Sequence, residues 1–117
     1  MFRFENLQIW QDAIVLSDEL FDISDIAESK KLYRFAEQLR GAALSISNNI
    51  AEGSGSFSDK EFAYFLNVAR RSVFECANIL IIFNMRGLIN EQVKTDLLNR
   101  LDILSRKITN FRKALKV

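Results

Sequence analysis

The sequence predicts an all-α protein, an antiparallel up-down-up-down four-helix bundle formed by residues 1–117 as a single domain. Three observations carry that prediction. Proline, the strongest helix breaker, is absent from all 117 residues, so nothing forbids long helices. Apolar residues recur at steps of three and four through four long segments, the period of a helix with one face turned to a core. Only short polar or glycine-containing stretches separate those segments, and short connections make successive helices antiparallel neighbours.

The first helix is expected over Glu5–Ile23. Leu7, Trp10, Ile14, Ser17 and Phe21 share one face, and Ile9, Leu16, Leu20 and Ile23 form a second apolar row beside it. Trp10 reads as core or interface rather than as a stacking platform. The polar stretch Ser24–Lys30 is expected to hold the first turn. The second helix is expected over Lys31–Glu52, with Leu32, Phe35, Ala36, Leu39, Ala42, Ala43, Ile46 and Ile50 as its core stripe. Gly53-Ser54-Gly55-Ser56 follows and reads as a helix cap and loop.

Ser58 to Glu61 fits a capping box that opens the third helix; in such a box the Ser hydroxyl and the Glu carboxylate each satisfy a free backbone N–H. Phe62, Phe65, Leu66, Ala69, Val73, Cys76, Leu80 and Phe83 mark its core face, and Arg86-Gly87 its end. Asn90 is placed to cap the fourth helix, with Glu91 at its positive end. Val93, Leu97, Leu101, Leu104, Ile108, Phe111 and Leu115 alternate in steps of four and three, the seam of a bundle.

Composition narrows the chemistry. Hydrophobic residues make up 49 % and charged residues 26 %, the balance of an ordinary globular protein. There is no His and a single Cys. That excludes zinc clusters, His-based di-iron sites, Ser-His-Asp or Cys-His triads and an internal disulfide. No enzyme activity, cofactor or metal is expected. Cys76 falls in register with Val73 and Leu80 and reads as a buried structural thiol. Gly53-x-Gly55 lacks the Lys and the preceding strand of a phosphate loop. The N-terminus has no basic segment followed by an apolar run, and the longest apolar run, Ile79 to Phe83, is too short to span a membrane. With one cysteine, a cytoplasmic location is expected.

Two features point to association. Helices one and three present more apolar surface than the stripe of about 100° that a core-facing helix needs. The surplus residues Ile9, Leu16, Tyr64, Val68 and Ile82 are therefore expected to form an oligomer surface. The charges are also split. Residues 1–28 carry Arg3 against seven acids, a net of −6, and residues 88–117 carry a net of +4. Such a split serves self-association, solvated helix faces or nucleic acid alike. The cations available to nucleic acid are Arg40, Arg70, Arg71, Arg100, Arg106, Lys107, Arg112 and Lys113. Those of the fourth helix are spread over three edges rather than gathered in one groove-tracking stripe.

A polar line runs beside the core. Gln38, Ser45, Asn49 and Glu52 lie along one edge of helix two, and Ser72 and Glu75 flank the stripe of helix three. Polar groups beside a core are paired or wet. The line is read as a hydrogen-bond network that fixes register or a subunit interface. A solvated flank and a Glu52–Glu75 carboxylate pair for a metal are the alternatives.

These residues also carry a resemblance. Gln38-Leu39-Arg40-Gly41-Ala42-Ala43-Leu44-Ser45-Ile46-Ser47-Asn48-Asn49-Ile50-Ala51-Glu52-Gly53 resembles the signature of the "four helix bundle protein" family, and Phe57–Phe62 through Ser72–Glu75 resembles that family's third helix. The family includes proteins encoded in intervening sequences of bacterial large-subunit rRNA genes and the accessory variability determinant of diversity-generating retroelements. The resemblance implies a four-helix subunit that assembles into a homopentameric ring. It also implies, as the alternative function, a nucleic-acid-binding accessory protein acting with a reverse transcriptase or on rRNA. Gly41, Ser47 and Ser56 depart from the pattern: members often carry Arg, Pro and Arg near those places. The two lost cations weaken the implied binding to nucleic acid.

Overall fold

The computed structural model describes all residues 1–117. It is all-helical, with a short 3-10 turn at Arg3–Asn6 followed by α1 (Gln8–Ser29), α2 (Tyr33–Ser54), α3 (Asp59–Met85) and α4 (Glu91–Lys113). The helices pack as a rod of 45 × 22 × 20 Å around one apolar core. Contacts between neighbours set the levels. Ser17 of α1 reaches Ala43 of α2, and Arg40 reaches Asp25 and Glu28. Gly53 lies beside Phe62 and Phe65, Ser45 beside Ser72, and Phe35 beside Phe83. Phe62 meets Phe111, and Asp12 meets Lys107. Between α1 and α2 and between α2 and α3, these contacts climb one helix as they descend the other.

α1 corrects two expectations. It continues through the polar stretch Ser24–Lys30 as far as Ser29, leaving only Lys30–Leu32 for the turn. That stretch keeps the helical period in small residues, because Ile23, Ser24 and Ala27 are all buried. Ser24 Oγ donates back to the Leu20 carbonyl at 3.0 Å, so its polarity is satisfied inside the helix. Lys31 makes the turn with a φ of 63°. The two apolar rows of α1 also exchange roles. Ile9, Ala13, Leu16, Leu20, Ile23 and Ala27 face the core, while Ile14 is exposed and Leu7, Trp10 and Phe21 are half-buried. The fully buried Ala13 and Ala27 let α2 approach closely, and Ser17 Oγ donates to the Ala43 carbonyl across that contact at 3.1 Å.

Gly53 corrects a third. It is a buried helical residue and not a cap, since α2 runs on to Ser54. A Cβ there would stand 2.7 Å from Phe65 Cβ and 2.8 Å from Phe62 Cδ1. The glycine is present because two helices touch at that point. The cap of α2 is Gly55, so the cluster does end that helix, and Gly87 caps α3. With φ 77° it closes α3, its N–H bonded to the Asn84 carbonyl and that of Leu88 to Phe83, the two bonds of a Schellman motif.

Ser58 Oγ accepts from the Glu61 N–H at 3.1 Å, but the Glu61 carboxylate does not complete the box. Asn90 Oδ1 caps α4 by accepting from the Val93 N–H at 2.8 Å. The core faces of α3 and α4 follow their heptad-like steps from Phe62 to Phe83 and from Leu97 to Ile108.

Candidate functional site

The polar line divides when placed on the helices. Ser45, Asn49 and Ser72 come together at the α2–α3 seam. Ser72 Oγ stands 2.8 Å from Ser45 Oγ and 3.2 Å from the Val68 carbonyl. Asn49 Nδ2 donates to the Ser45 carbonyl at 2.8 Å and to Ser45 Oγ at 3.0 Å. The Ser72–Ser45 bond crosses between the helices, and Asn49 buttresses it from within α2. Gln38, Glu52 and Glu75 stay exposed and outside this network. Gln38 and Glu75 border a shallow groove of about 340 Å³ that also takes in Arg34 and Ile82. Glu52 is one residue from Gly53, level with Phe65, while Glu75 lies a further ten residues along α3. At helical rise that separates the two carboxylates by about 15 Å, so the alternative of a shared metal does not survive the geometry. No group of three or more Cys, Asp or Glu residues is placed to hold a metal ion.

The expected oligomer surface divides as well. Ile9 and Leu16 are only 4 % and 3 % exposed, inside the subunit's own core; they belong to the true core row of α1. Tyr64 and Ile82 remain in solvent, 64 % and 39 % exposed, and Val68 is half-buried between them. All three lie on α3 along the edge that borders α2. Further along the surface, Val15 and Ile103 flank an open groove of about 220 Å³ between α1 and α4.

The cations behave differently from one another. Arg40 is held by three acids, Asp25 at 2.6 Å, Glu28 at 2.9 Å and Glu37 at 3.3 Å. Their bonds, that of Glu28 foremost, raise the guanidinium pKa further above its ordinary value. Arg100 pairs with Glu19 and Asp96, Arg106 with Asp102, and Lys107 with Asp12. The Arg70 guanidinium lies 4.7 Å over the Phe74 ring, with its Nε buried and unbonded. Of the eight cations singled out in the sequence, only Arg71, Arg112 and Lys113 are both exposed and without an acidic or aromatic partner. Two pairs, Asp12–Lys107 and Glu19–Arg100, thus join the acidic start of the chain to its basic end within one subunit. A signal for this was present: Asp12 and Glu19 are seven residues apart, and so are Arg100 and Lys107. Seven residues is two helical turns, so two such pairs on facing helices come into register together.

Cys76 is fully buried, and burial, with the nearby Glu75 charge, pushes its thiol up to about 12. It stays protonated and inert at neutral pH.

The family model of the 23S rRNA-intervening sequence protein matches residues 5–110. The chain belongs to that family. No curated protein matches it. The family match spans all four helices, including the Ser45–Ser72 seam and the exposed edge of α3. No helix of this family member is long and apolar enough to cross a membrane.

Proposed function

We propose that this antiparallel up-down-up-down bundle is a non-enzymatic, cytoplasmic building block that works by assembling with copies of itself. The observation that carries the reading is the double character of α3. Its inner face is sealed in the core from Phe62 to Phe83, while on the edge that borders α2 Tyr64 and Ile82 are open to solvent and Val68 is half-buried. Single exposed apolar residues are ordinary, but residues aligned on one helix edge form a surface suited to a partner. The ring of five implied by the family resemblance is the specific form of assembly proposed. Light scattering at low and at moderate salt tests it. An assembly of several times 13.5 kDa is expected, five copies being the number the ring requires. A monomer at both salts overturns the reading.

The family description ties its members to an rRNA intervening sequence, and Arg71, Arg112 and Lys113 are free to meet phosphate. This supports nucleic-acid binding as a second reading. The internal pairing of Arg40, Arg100, Arg106 and Lys107 leaves it the weaker one. Fluorescence anisotropy with single-stranded RNA distinguishes it: binding through phosphates weakens steeply as salt is added.

A further inference from the structure

The tip of the bundle that holds the α1–α2 and α3–α4 turns carries charge of one sign. Phe35 stacks on Phe83 with ring centroids 6.0 Å apart, so the residues before Phe35 and after Phe83 run out to the same end of a rod 22 × 20 Å across. Lys30, Lys31, Arg34 and Arg86 are exposed there, and no Asp or Glu occurs in residues 29–36 or 84–90. The acids that flank these stretches are engaged elsewhere: Glu28 and Glu37 hold Arg40, and Glu91 holds Lys94. The opposite tip mixes its cations with Glu5, Asp59 and Glu61.

Helix electrostatics account for two of the four cations. Lys30 and Arg86 follow directly on the last residues of α1 and α3, where the helix dipole favours positive charge. Lys31 and Arg34 stand at the other kind of helix end, just before and within the first turn of α2, which contains no acid. There the dipole disfavours a cation. Lys31 is out of place in a second way. Its N–H bonds to the Glu28 carbonyl and that of Leu32 to Ala27, the same two bonds that Gly87 and Leu88 make at the end of α3. The left-handed residue of the α3 cap is Gly87, with φ 77°; that of the α1 cap is Lys31, with φ 63°. Glycine is the usual residue at this position, because a Cβ strains the left-handed backbone. Two matching caps at one tip thus differ in one residue, and the lysine is the one the fold disfavours. Beside it Tyr33 presents an exposed ring.

We infer that this tip is where the protein holds single-stranded nucleic acid, with Lys30, Lys31, Arg34 and Arg86 on the phosphates and a base stacked on Tyr33. The inference rests on the nucleic-acid reading above and gives it a site. A basic patch that tracks the backbone, with an aromatic ring for a base, is the usual means of binding a single strand without reading its sequence. In the two turn stretches the only large apolar side chains left exposed are Tyr33 and Met85. That is little to anchor in a bilayer, whereas one ring is enough to stack a base. In the ring proposed above, rotational symmetry sets the tip of every copy at one level, where several tips hold one strand together.

Fluorescence anisotropy with a labelled single-stranded RNA tests the site. Arg34→Gln/Arg86→Gln is expected to weaken binding about tenfold and to lower the slope of its salt dependence by about 1 for each cation removed. Tyr33→Ala should weaken it about fivefold or more and leave that slope unchanged, because stacking releases no counterions. Lys31→Gly is the deciding variant. It should weaken RNA binding severalfold while the thermal midpoint holds or rises, since glycine relieves the left-handed strain. A lysine kept only for the turn would give a lower midpoint and unchanged binding, and that result overturns the inference. Arg112→Gln/Lys113→Gln removes the same charge from the opposite tip and should leave affinity within about twofold. If it weakens binding as much as Arg34→Gln/Arg86→Gln does, affinity follows net charge; the tip is then wrong and nucleic-acid binding stands. If the unaltered protein binds no RNA even at low salt, the nucleic-acid reading fails and this inference with it. Binding to phosphatidylserine vesicles in place of RNA would give the tip to a lipid surface and overturn both.

Discussion

At the α2–α3 seam, Gly53 admits two phenylalanines to within van der Waals reach, and Ser72 bonds across the gap to Ser45, which Asn49 braces from its own helix. At the α1–α4 seam the helices pack less closely, around an open groove bridged by Lys107–Asp12 and Arg100–Glu19. The two seams share a core and differ in what spans it. Small residues make a contact whose strength depends on shape, so single atoms matter there. Long charged residues make a contact that tolerates distance and is screened by water and salt. The first seam should thus be intolerant of added volume, and the second should respond to pH.

The largest effect is expected from Gly53→Ala. Alanine is the better helix former by about 1 kcal/mol. Its methyl would collide with Phe65 Cβ, which is fixed to the backbone and cannot rotate aside. Overpacking of this kind costs about 1–3 kcal/mol, so the net expectation is a loss of up to about 2 kcal/mol in urea unfolding. Gly41→Ala on the same helix meets nothing within 4 Å and is expected to gain about 0.5–1 kcal/mol. Equal effects at the two sites would mean that propensity alone decides, and that the α2–α3 seam is not close-packed.

The next effect belongs to the polar bridge. Asn49→Leu removes both bonds to Ser45 and should cost about 0.5–1.5 kcal/mol. An unchanged urea midpoint would make the line a solvated flank.

The contrast between the seams also explains what could be read from the sequence. The core faces of α3 and α4 were legible because large apolar residues repeat there with helical period, Phe62 to Phe83 and Leu97 to Ile108. α1 was harder because its core row includes Ala13, Ser17, Ser24 and Ala27. Small residues carry little hydropathy signal, and the bulkier row of Leu7, Trp10 and Ile14 outweighs them. The cluster around Gly53 does hold the cap, at Gly55, but Gly53's place inside the helix is hidden in the sequence because Phe62 and Phe65 come opposite it only on folding. Ser45, Asn49 and Ser72 meet at the α2–α3 seam, and only the packed helices separate them from Gln38, Glu52 and Glu75. The ion pairs of the α1–α4 seam do not show in the net charge of a segment and appear only at matching seven-residue spacings on the two helices.

The smallest effect is the pH response of the α1–α4 seam, and its sign follows from the shifts. Partial burial raises the pKa of Asp12, but the bonds it accepts from Lys107 and Gln8 outweigh this and leave it below the usual carboxylate range. The Arg100 bond lowers that of Glu19, against a smaller opposing effect of burial. Both carboxylates thus hold their protons less tightly in the folded state than in the unfolded one. Their contribution is complete above the unfolded values, about 4 for such groups, and is lost as pH falls through the lower folded values. Both pairs are partly exposed, so each is worth only about 0.2–1 kcal/mol. Lys107→Met keeps most of the aliphatic stem and removes the charge. It should cost up to about 1 kcal/mol at neutral pH, and this deficit should be smaller at about pH 3, below the unfolded carboxylate value, as Asp12 begins to take up its proton. A deficit of the same size at both pH values would show that the seam is held by the packed stem of Lys107 rather than by its charge.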